Sequence, residues 1–374
     1  MREMGLHSTS RSEALRLRRR AFKLYELSDP ERAALAPAAE TLGVDVLFSA
    51  VGTEGVVVAA DSQLRALGAL LLGSAPELAA VFEQQADMFS QRVWTDGAGR
   101  DLLEPGRTTL MGILNVTPDS FSDGGRFNDP ARAEEQAARM IEEGADIIDV
   151  GGLSTRPGAE EIPAAEELAR ILPTIARIAR NLAVPLSVDT YRAEVAEKAL
   201  DAGATIVNDI SGFSFDAKLA SVCARKNAAV VLMHTPAKPA VMMEQTTYRD
   251  LMREVRAALG TAIARALAAG IPAERIAVDP GFGFGKTAEQ GWEMLRRLGE
   301  FGGLGHALLV GVSRKSMFRA VVGDAVPAEG RDVASGAAAT AAVLAGAHIV
   351  RTHNVKITRE CVAVADQLSQ MPRL

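Results

Sequence analysis

Eight short apolar runs follow one another after residue 109, and each gives way to a polar or charged residue. They are Leu110–Leu114, Ile147–Val150, Leu186–Val188, Thr205–Val207, Val230–Met233, Ile276–Val278, Leu308–Val312 and Ile349–Val350. Runs this short and continuous read as strands buried on both faces. The chain between successive runs is long enough for a helix. Ala131–Glu143, Glu166–Arg180, Ala193–Asp201 and Leu251–Ala269 carry helical spacing, and Gly144, Gly203, Gly270 and Gly346 sit where helices stop. Eight β-α units in one stretch fit a closed (β/α)8 barrel, the TIM-barrel architecture; the alternative is a doubly wound open sheet. The strand ends favour the barrel. Asn115, Asp149, Asp189, Asn208–Asp209, His234, Asp279, Ser313–Lys315 and Arg351–His353 follow the eight runs in order. A barrel gathers such ends on one face, where active sites sit, whereas an open sheet spreads them along an edge.

The N-terminal part follows another pattern. The basic run from Arg16 to Lys23 is expected to form a solvated helix, since Glu3, Glu13 and Glu26 beside it do not suit a transit peptide. Glu31–Leu42 reads as a helix, Val44–Ala50 and Gly55–Ala60 as strands, and Leu64–Leu72 and Pro76–Phe89 as helices. Residues 1–88 are therefore read as a basic leader with a small α/β domain, and residues 89–374 as the barrel. No catalytic constellation appears in the first of these. Arg92–Trp94, the Asp96-Gly97 turn and Leu102-Leu103 read as a hairpin ahead of the first barrel strand.

Composition excludes several classes. The 374 residues are 48% hydrophobic and 24% charged, which is globular rather than disordered. A net charge of −6 gives general nucleic-acid binding no electrostatic basis. Cys223 and Cys361 are too few for a disulfide framework or a thiolate zinc site, and both are expected reduced. The uncharged stretch Ala334–Val350 is mostly Ala and Gly and lacks the bulk of a ~20-residue membrane span. With no apolar signal segment at the N-terminus, a cytoplasmic protein without membrane or nucleic-acid partners is expected.

The loops after the strands carry the chemistry. The first, Asn115-Val-Thr-Pro-Asp-Ser-Phe-Ser-Asp-Gly-Gly125, is long and polar with Phe121 in its middle, which suits a mobile lid better than a plain Asx turn. Its Asn115 offers a carbonyl oxygen to a hard cation such as Mg²⁺. The second, Gly151-Gly-Leu-Ser-Thr-Arg-Pro-Gly-Ala159, joins backbone freedom to hydroxyls and the Arg156 guanidinium, a combination suited to an oxyanion or to an ordinary Gly-rich turn. Asp189, Asn208 and Asp279 can each cap the helix that follows; together, facing one mouth, they can read a flat heterocycle with N–H and NH₂ donors. Arg314, Lys315, Arg351 and His353 would put a cationic cluster at the last two strand ends, where barrels often bind phosphate, unless they pair with nearby carboxylates. Asp279-Pro-Gly-Phe-Gly-Phe-Gly-Lys-Thr287 is not a Walker A loop, because Pro280 stands where the first glycine is needed. No H-E-x-x-H or G-x-S-x-G occurs, and no Cys–His signature, so covalent catalysis is not indicated.

These segments closely resemble the dihydropteroate synthases of the pterin-binding barrel family. Met111–Gly125 is similar to the family's first signature and Ile148–Ala159 to its second. Ser187–Thr190, Asn208–Ser211, Leu232–His234, Asp279–Lys286, Ser313–Met317 and Arg351–His353 match in order, so the resemblance runs from about Phe89 to the C-terminus. It implies condensation of 6-hydroxymethyl-7,8-dihydropterin diphosphate with 4-aminobenzoate, giving dihydropteroate and diphosphate in folate synthesis. It further implies that Asp189, Asn208, Asp279 and Lys315 hold the pterin. Asn115, Arg156, Arg351 and His353 would hold the diphosphate, with Asn115 touching Mg²⁺ and Thr155 where the loops meet the substrate. Phe121, Pro157, Phe284 and Ser316 would frame the aminobenzoate. Asn115, Arg156, Lys315, Arg351 and His353 would form the catalytic group, with no general base. A homodimer is the family's common state, and the Ala-rich segment Val333–Leu344 is suited to pack against a twin. Two positions depart from the family pattern: Leu153 stands where Gly-Gly-Glu-Ser has its acid, and Asn354 where Arg-x-His-Asp ends. A corrinoid-dependent pterin methyltransferase would share the barrel but have no use for Arg156 and the Asn115 lid. A non-catalytic pterin-binding paralogue is the other alternative, motivated by the two departures and the extra N-terminal unit.

Overall fold

A computed structural model describes residues 20–24, 26–49, 53–59, 61–90, 92–116, 129–156, 158–159 and 161–370. Phe121 and Pro157 lie outside these residues, as does the expected lid beyond Val116. The chain divides into two compact units at Arg92/Val93.

The first unit is a three-stranded antiparallel sheet, β1 (Arg20–Leu24), β2 (Asp45–Phe48) and β3 (Gly55–Ala59), in the order β1-β3-β2. Helices Asp29–Leu42, Asp61–Leu71 and Pro76–Ser90 accompany it. Ser28 and Glu31 form a reciprocal cap at the first helix, and Gly43 ends it with φ +61°. Leu35, Val57, Leu64, Leu67 and Phe82 make the small core. The solvated helix expected over Arg16–Lys23 is corrected here, since Arg20–Leu24 is a strand. β3 alternates buried and half-buried residues, and a second partner satisfies the backbone groups on its other edge. That need outweighs the helical charge pattern.

The second unit is a closed barrel of eight parallel strands. They are β4 (Thr109–Asn115), β5 (Ile147–Gly151), β6 (Leu186–Asp189), β7 (Ile206–Asp209), β8 (Ala229–Met233), β9 (Ile276–Asp279), β10 (Ala307–Val310) and β11 (Ile349–Thr352). β11 pairs with β4 in parallel, which closes the ring and excludes the open sheet. A helix follows each strand, the longest being Ala164–Asn181 and Leu251–Ala268. The four glycines expected to stop helices all take positive φ. Outward-facing strand residues such as Ile148, Val188 and Val230 pack under the helices. The inward layer is apolar at the N-terminal end, where Met111, Ile147, Ile206, Leu309 and Ile349 meet Trp94 and Leu102. The expected hairpin proves to be a plug with isolated bridges, Thr95 to Asp101 and Glu104 to Arg107. Trp94 is fully buried in it, and its indole N–H donates to the Arg275 carbonyl at 3.2 Å. The N-terminal end of the barrel is thus filled by apolar side chains, and the cavity lies at the C-terminal ends of the strands.

Candidate active site

Alternation along each strand sends every second side chain inward. At the C-terminal ends those inward positions are Asn115, Asp149, Asp189, Asn208, Asp279 and Arg351. The ladder sets Gly151 beside Asp189 and Asp189 beside Asn208. Gly151 carries no side chain between its neighbours: a Cβ there would lie 3.4 Å from Asn115 Oδ1 and 3.8 Å from Asp189 Oδ2. Alternation also separates Asn208 from Asp209. Asp209 turns outward and accepts from Ser211 N–H, Ser211 O–H and Phe213 N–H at 2.8, 2.7 and 2.6 Å, so it holds a turn and does not face the cavity.

Arg351 joins the floor together. Its Nε donates to Asp149 Oδ2 at 2.6 Å and its Nη2 to Asp189 Oδ2 at 2.8 Å. Asn208 Nδ2 donates to the same Asp149 oxygen at 3.1 Å. Asp149, named among the strand ends but not among the expected ligands, is therefore the centre of the floor; its place on an inward strand position was the available signal. Asp149 Oδ1 and Asp189 Oδ1 are buried without a hydrogen-bond partner among the described residues. Burial pushes the Asp189 carboxyl up from its ordinary range, the Arg351 charge opposes this, and Asp149 adds to it. Asp279 is raised by burial as well, although its Oδ1 accepts from Gly281 N–H at 2.7 Å. Burial works against the Arg351 charge, but Asp149 and Asp189 outweigh it and hold the guanidinium above its usual range.

Above the floor, one cavity is lined by Asp189, Asn208, Asp279, Lys315, Arg351 and His353, together with Thr155, Phe284, Ser313 and the apolar Ile113, Ile210 and Met233. Lys315 Nζ lies 4.3 Å from the centroid of the Phe284 ring. Burial lowers its pKa to about 8, against the pull of Asp279. His353 Nδ1 sits 2.9 Å from Ser313 Oγ, which also accepts the His353 backbone N–H at 3.1 Å. Burial, with Arg314, Arg351, Lys315 and Arg156 nearby, pushes His353 down to about 3, so it is neutral at pH 7 and adds no cation to the mouth. Arg156 is exposed on the second loop, close enough for its charge to reach His353. Ser316 is exposed and stands apart from the cavity lining. Arg351, expected with the anion, is bonded to the floor.

Three residues with suggestive chemistry have other partners. Lys286 is buried and donates to the carbonyls of Gly281 and Phe284 at 3.0 and 2.9 Å and meets His234 Nδ1 at 2.9 Å. It braces its own glycine-rich loop. Gly281 in that loop has φ +74°, and a Cβ there would fall 2.1 Å from the His234 carbonyl oxygen. Arg314 pairs with Asp332, Nε to Oδ1 at 2.7 Å. Leu153 is buried in an apolar cluster with Tyr191, Ile210 and Met233, against which Phe284 packs. Among the described residues no three His, Cys, Asp or Glu side chains gather to hold a metal. The Asn115 carbonyl oxygen fits a Mg²⁺ that takes most of its ligands from substrate phosphate and water.

The family model described as pterin binding enzyme matches residues 111–353. The dihydropteroate synthase of Synechocystis sp. is 46% identical over 271 residues, which are 72% of this chain and 93% of that protein. That of Bacillus subtilis is 44% identical over 250 residues, covering 67% of this chain and 85% of its own. Among solved structures, Xanthomonas albilineans dihydropteroate synthase with 4-aminobenzoic acid superposes with a TM-score of 0.70 at 39% identity, covering 75% of this chain and 100% of its own. The Burkholderia cenocepacia enzyme complexed with 7,8-dihydropteroate gives 0.67 at 39% identity, over 74% and 96%. The chain belongs to the dihydropteroate synthase family of pterin-binding barrels.

Proposed function

We propose that the chain condenses 6-hydroxymethyl-7,8-dihydropterin diphosphate with 4-aminobenzoate. The observation that carries this reading is the floor: two buried carboxylate oxygens, Asp149 Oδ1 and Asp189 Oδ1, without donors. Such acceptors cost free energy unless a ligand supplies N–H groups, and a pterin ring presents several. Asn208 has its amide nitrogen engaged by Asp149, and its carbonyl oxygen is an acceptor by its chemistry. Asp279 and Lys315 complete the recognition of the ring from the other side of the cavity.

The reaction needs little acid–base work. The bond from the exocyclic methylene carbon to the diphosphate oxygen breaks, and its electron pair leaves with the diphosphate. The carbon's positive charge spreads into the dihydropterin. The aniline nitrogen then forms the new C–N bond and loses a proton to water. Arg156, Thr155 and His353 are assigned to the diphosphate, together with Arg351, whose Nε and Nη2 are engaged by the floor carboxylates; neutral His353 can donate a hydrogen bond to the anion. Mg²⁺, when bound through Asn115 and the phosphates, supplies neutralisation of the leaving charge. Phe284, Phe121, Pro157 and Ser316 are assigned to the aromatic amine, and the apolar cluster behind Phe284 excludes water there.

The Yersinia pestis relative is solved with a sulfonamide drug, which favours the same second-substrate position here. A homodimer is supported by the exposure of Val333 and Leu344 on the helix Asp332–Leu344. No helix among the described residues is long and apolar enough to cross a membrane. The test is diphosphate release by the full chain given both substrates and Mg²⁺. Release that depends on 4-aminobenzoate and matches dihydropteroate formed is expected. Tight pterin binding with no product would mark a non-catalytic protein.

A further inference from the structure

The loop that carries Ser313 and Lys315 turns on Arg314, a non-glycine residue with φ +59°. Such a backbone is unfavourable for a side chain and persists only where its surroundings hold it. The holding comes from outside the cavity. Asp332, at the start of the helix Asp332–Leu344, accepts from Arg314 Nε at 2.7 Å and Nη2 at 3.0 Å. Ser335 Oγ accepts the Arg314 backbone N–H at 2.8 Å, and Arg331 Nη1 donates to the Arg314 carbonyl at 3.3 Å. Glu329 lies 4.0 Å from Arg314 Nη1 and is exposed.

Asp332 reaches a second loop as well. Asn354 Nδ2 donates to Asp332 Oδ2 at 2.9 Å, while Asn354 Oδ1 accepts from Ile357 N–H at 3.1 Å. One carboxylate thus ties residue 314, between Ser313 and Lys315, to residue 354, next to His353. A parallel tie runs inside the mouth, from Ser313 to His353. The amide at 354 matches this arrangement. An acid in its place would set two carboxylates against each other at the distance now spanned by a hydrogen bond.

We infer that Asp332 is a positioning residue for the condensation: through Arg314 and Asn354 it fixes the orientation of Lys315, Ser313 and His353 toward the dihydropterin diphosphate. Asp332 does not line the cavity. The inference rests on the proposed reaction and adds to it a residue outside the cavity.

The experiment compares wild type, Asp332→Asn, Asn354→Asp and the double variant Asp332→Asn/Asn354→Asp. Steady-state kinetics of dihydropteroate formation are measured beside thermal melting. Calorimetry with 6-hydroxymethylpterin alone is run on the same four proteins. Each single change is expected to lower kcat/KM for the dihydropterin diphosphate about 10-fold or more, since groups joined in one network couple strongly. KM for 4-aminobenzoate should stay within about twofold, because the tie faces the other substrate. The double variant restores the 332–354 hydrogen bond with carboxylate and amide exchanged, but it leaves an amide against the Arg314 guanidinium and should stay about as low as Asp332→Asn. Melting temperatures that rank the proteins differently from their kinetics separate positioning from folding. Singles within about twofold of wild type, or a double variant within about threefold of it, would overturn the inference. A wild-type chain that makes no dihydropteroate would count against the reaction instead, and the pterin titrations would still show whether losing the Arg314 tie weakens the site.

Discussion

Arg351 and Asp189 meet at 2.8 Å although 162 positions separate them in sequence. The contact crosses the barrel from β11 to β6 and neutralises a carboxylate at the cavity floor. Removing one partner of a buried pair leaves the other charge uncompensated, at a cost of about 3–5 kcal/mol. Arg351→Ala should therefore destabilise the fold by an amount of that order in chemical denaturation. It should also abolish measurable turnover. A stability loss below about 1 kcal/mol, the scale of a surface pair, would show that the floor carboxylates are neutralised in another way.

Gly311 lines the cavity, and a Cβ on it would stand 3.7 Å from Asp279 Oδ2. That spacing is ordinary contact, so Gly311→Ala should fold normally. The added methyl occupies space the pterin ring needs. Calorimetry should show pterin affinity falling by about 10-fold or more with the melting temperature nearly unchanged. Unaltered affinity would move the ring away from Asp279.

Lys315 is half-buried, and desolvation lowers its pKa to about 8. Its cationic form is the low-pH form, so whatever depends on that charge is present below this value and fades as pH rises through it. The profile of kcat/KM for dihydropterin diphosphate should bend downward near pH 8, because that ratio reports the free enzyme. In Lys315→Arg the charge persists and the alkaline limb should vanish up to pH ~10. A limb that survives the substitution belongs to another group, such as Lys286, which burial brings down to about 7.

Arg156 is exposed on the loop after β5. Arg156→Ala should weaken use of the diphosphate substrate about 10-fold or more while leaving binding of the free pterin within about twofold. Equal losses in both would contradict its assignment to the anion.

Leu153 is packed with Tyr191, Ile210 and Met233, and is 6% exposed. Placing an acid there buries a carboxylate among apolar groups. Leu153→Glu should lower stability by about 2–5 kcal/mol, measured by denaturant titration, unless the cluster rearranges around it. A neutral effect would mean that the second loop is looser than its burial indicates.

Much of the barrel was legible from the chain because two local rules act at every strand. Buried parallel strands need continuous apolar runs, and barrel geometry brings the residue after each run to one face. Asp189, Asn208, Asp279 and Lys315 were found this way, and the cavity gathers them. Pairing was not legible. Nothing local says that Arg314 is held by Asp332, that Arg351 leans to the floor, or that Lys286 turns into its own loop. Each partner lies on another element, and only the closed fold sets the distance. The strand at Arg20–Leu24 was hidden for a related reason: a partner edge on β3 decides its conformation, while its own charges suggest a helix.

The carboxylates lining this one cavity, Asp279 among them, are assigned the reading of the pterin ring. Asp279→Asn tests this assignment most directly. The amide oxygen can still accept from Gly281 N–H, so the loop is kept, while the amide nitrogen presents a donor where the ring needs an acceptor. Calorimetric titration with dihydropterin diphosphate should show at least about a 100-fold weaker Kd than wild type with an unchanged melting temperature. Equal affinity in the two proteins would contradict the assignment.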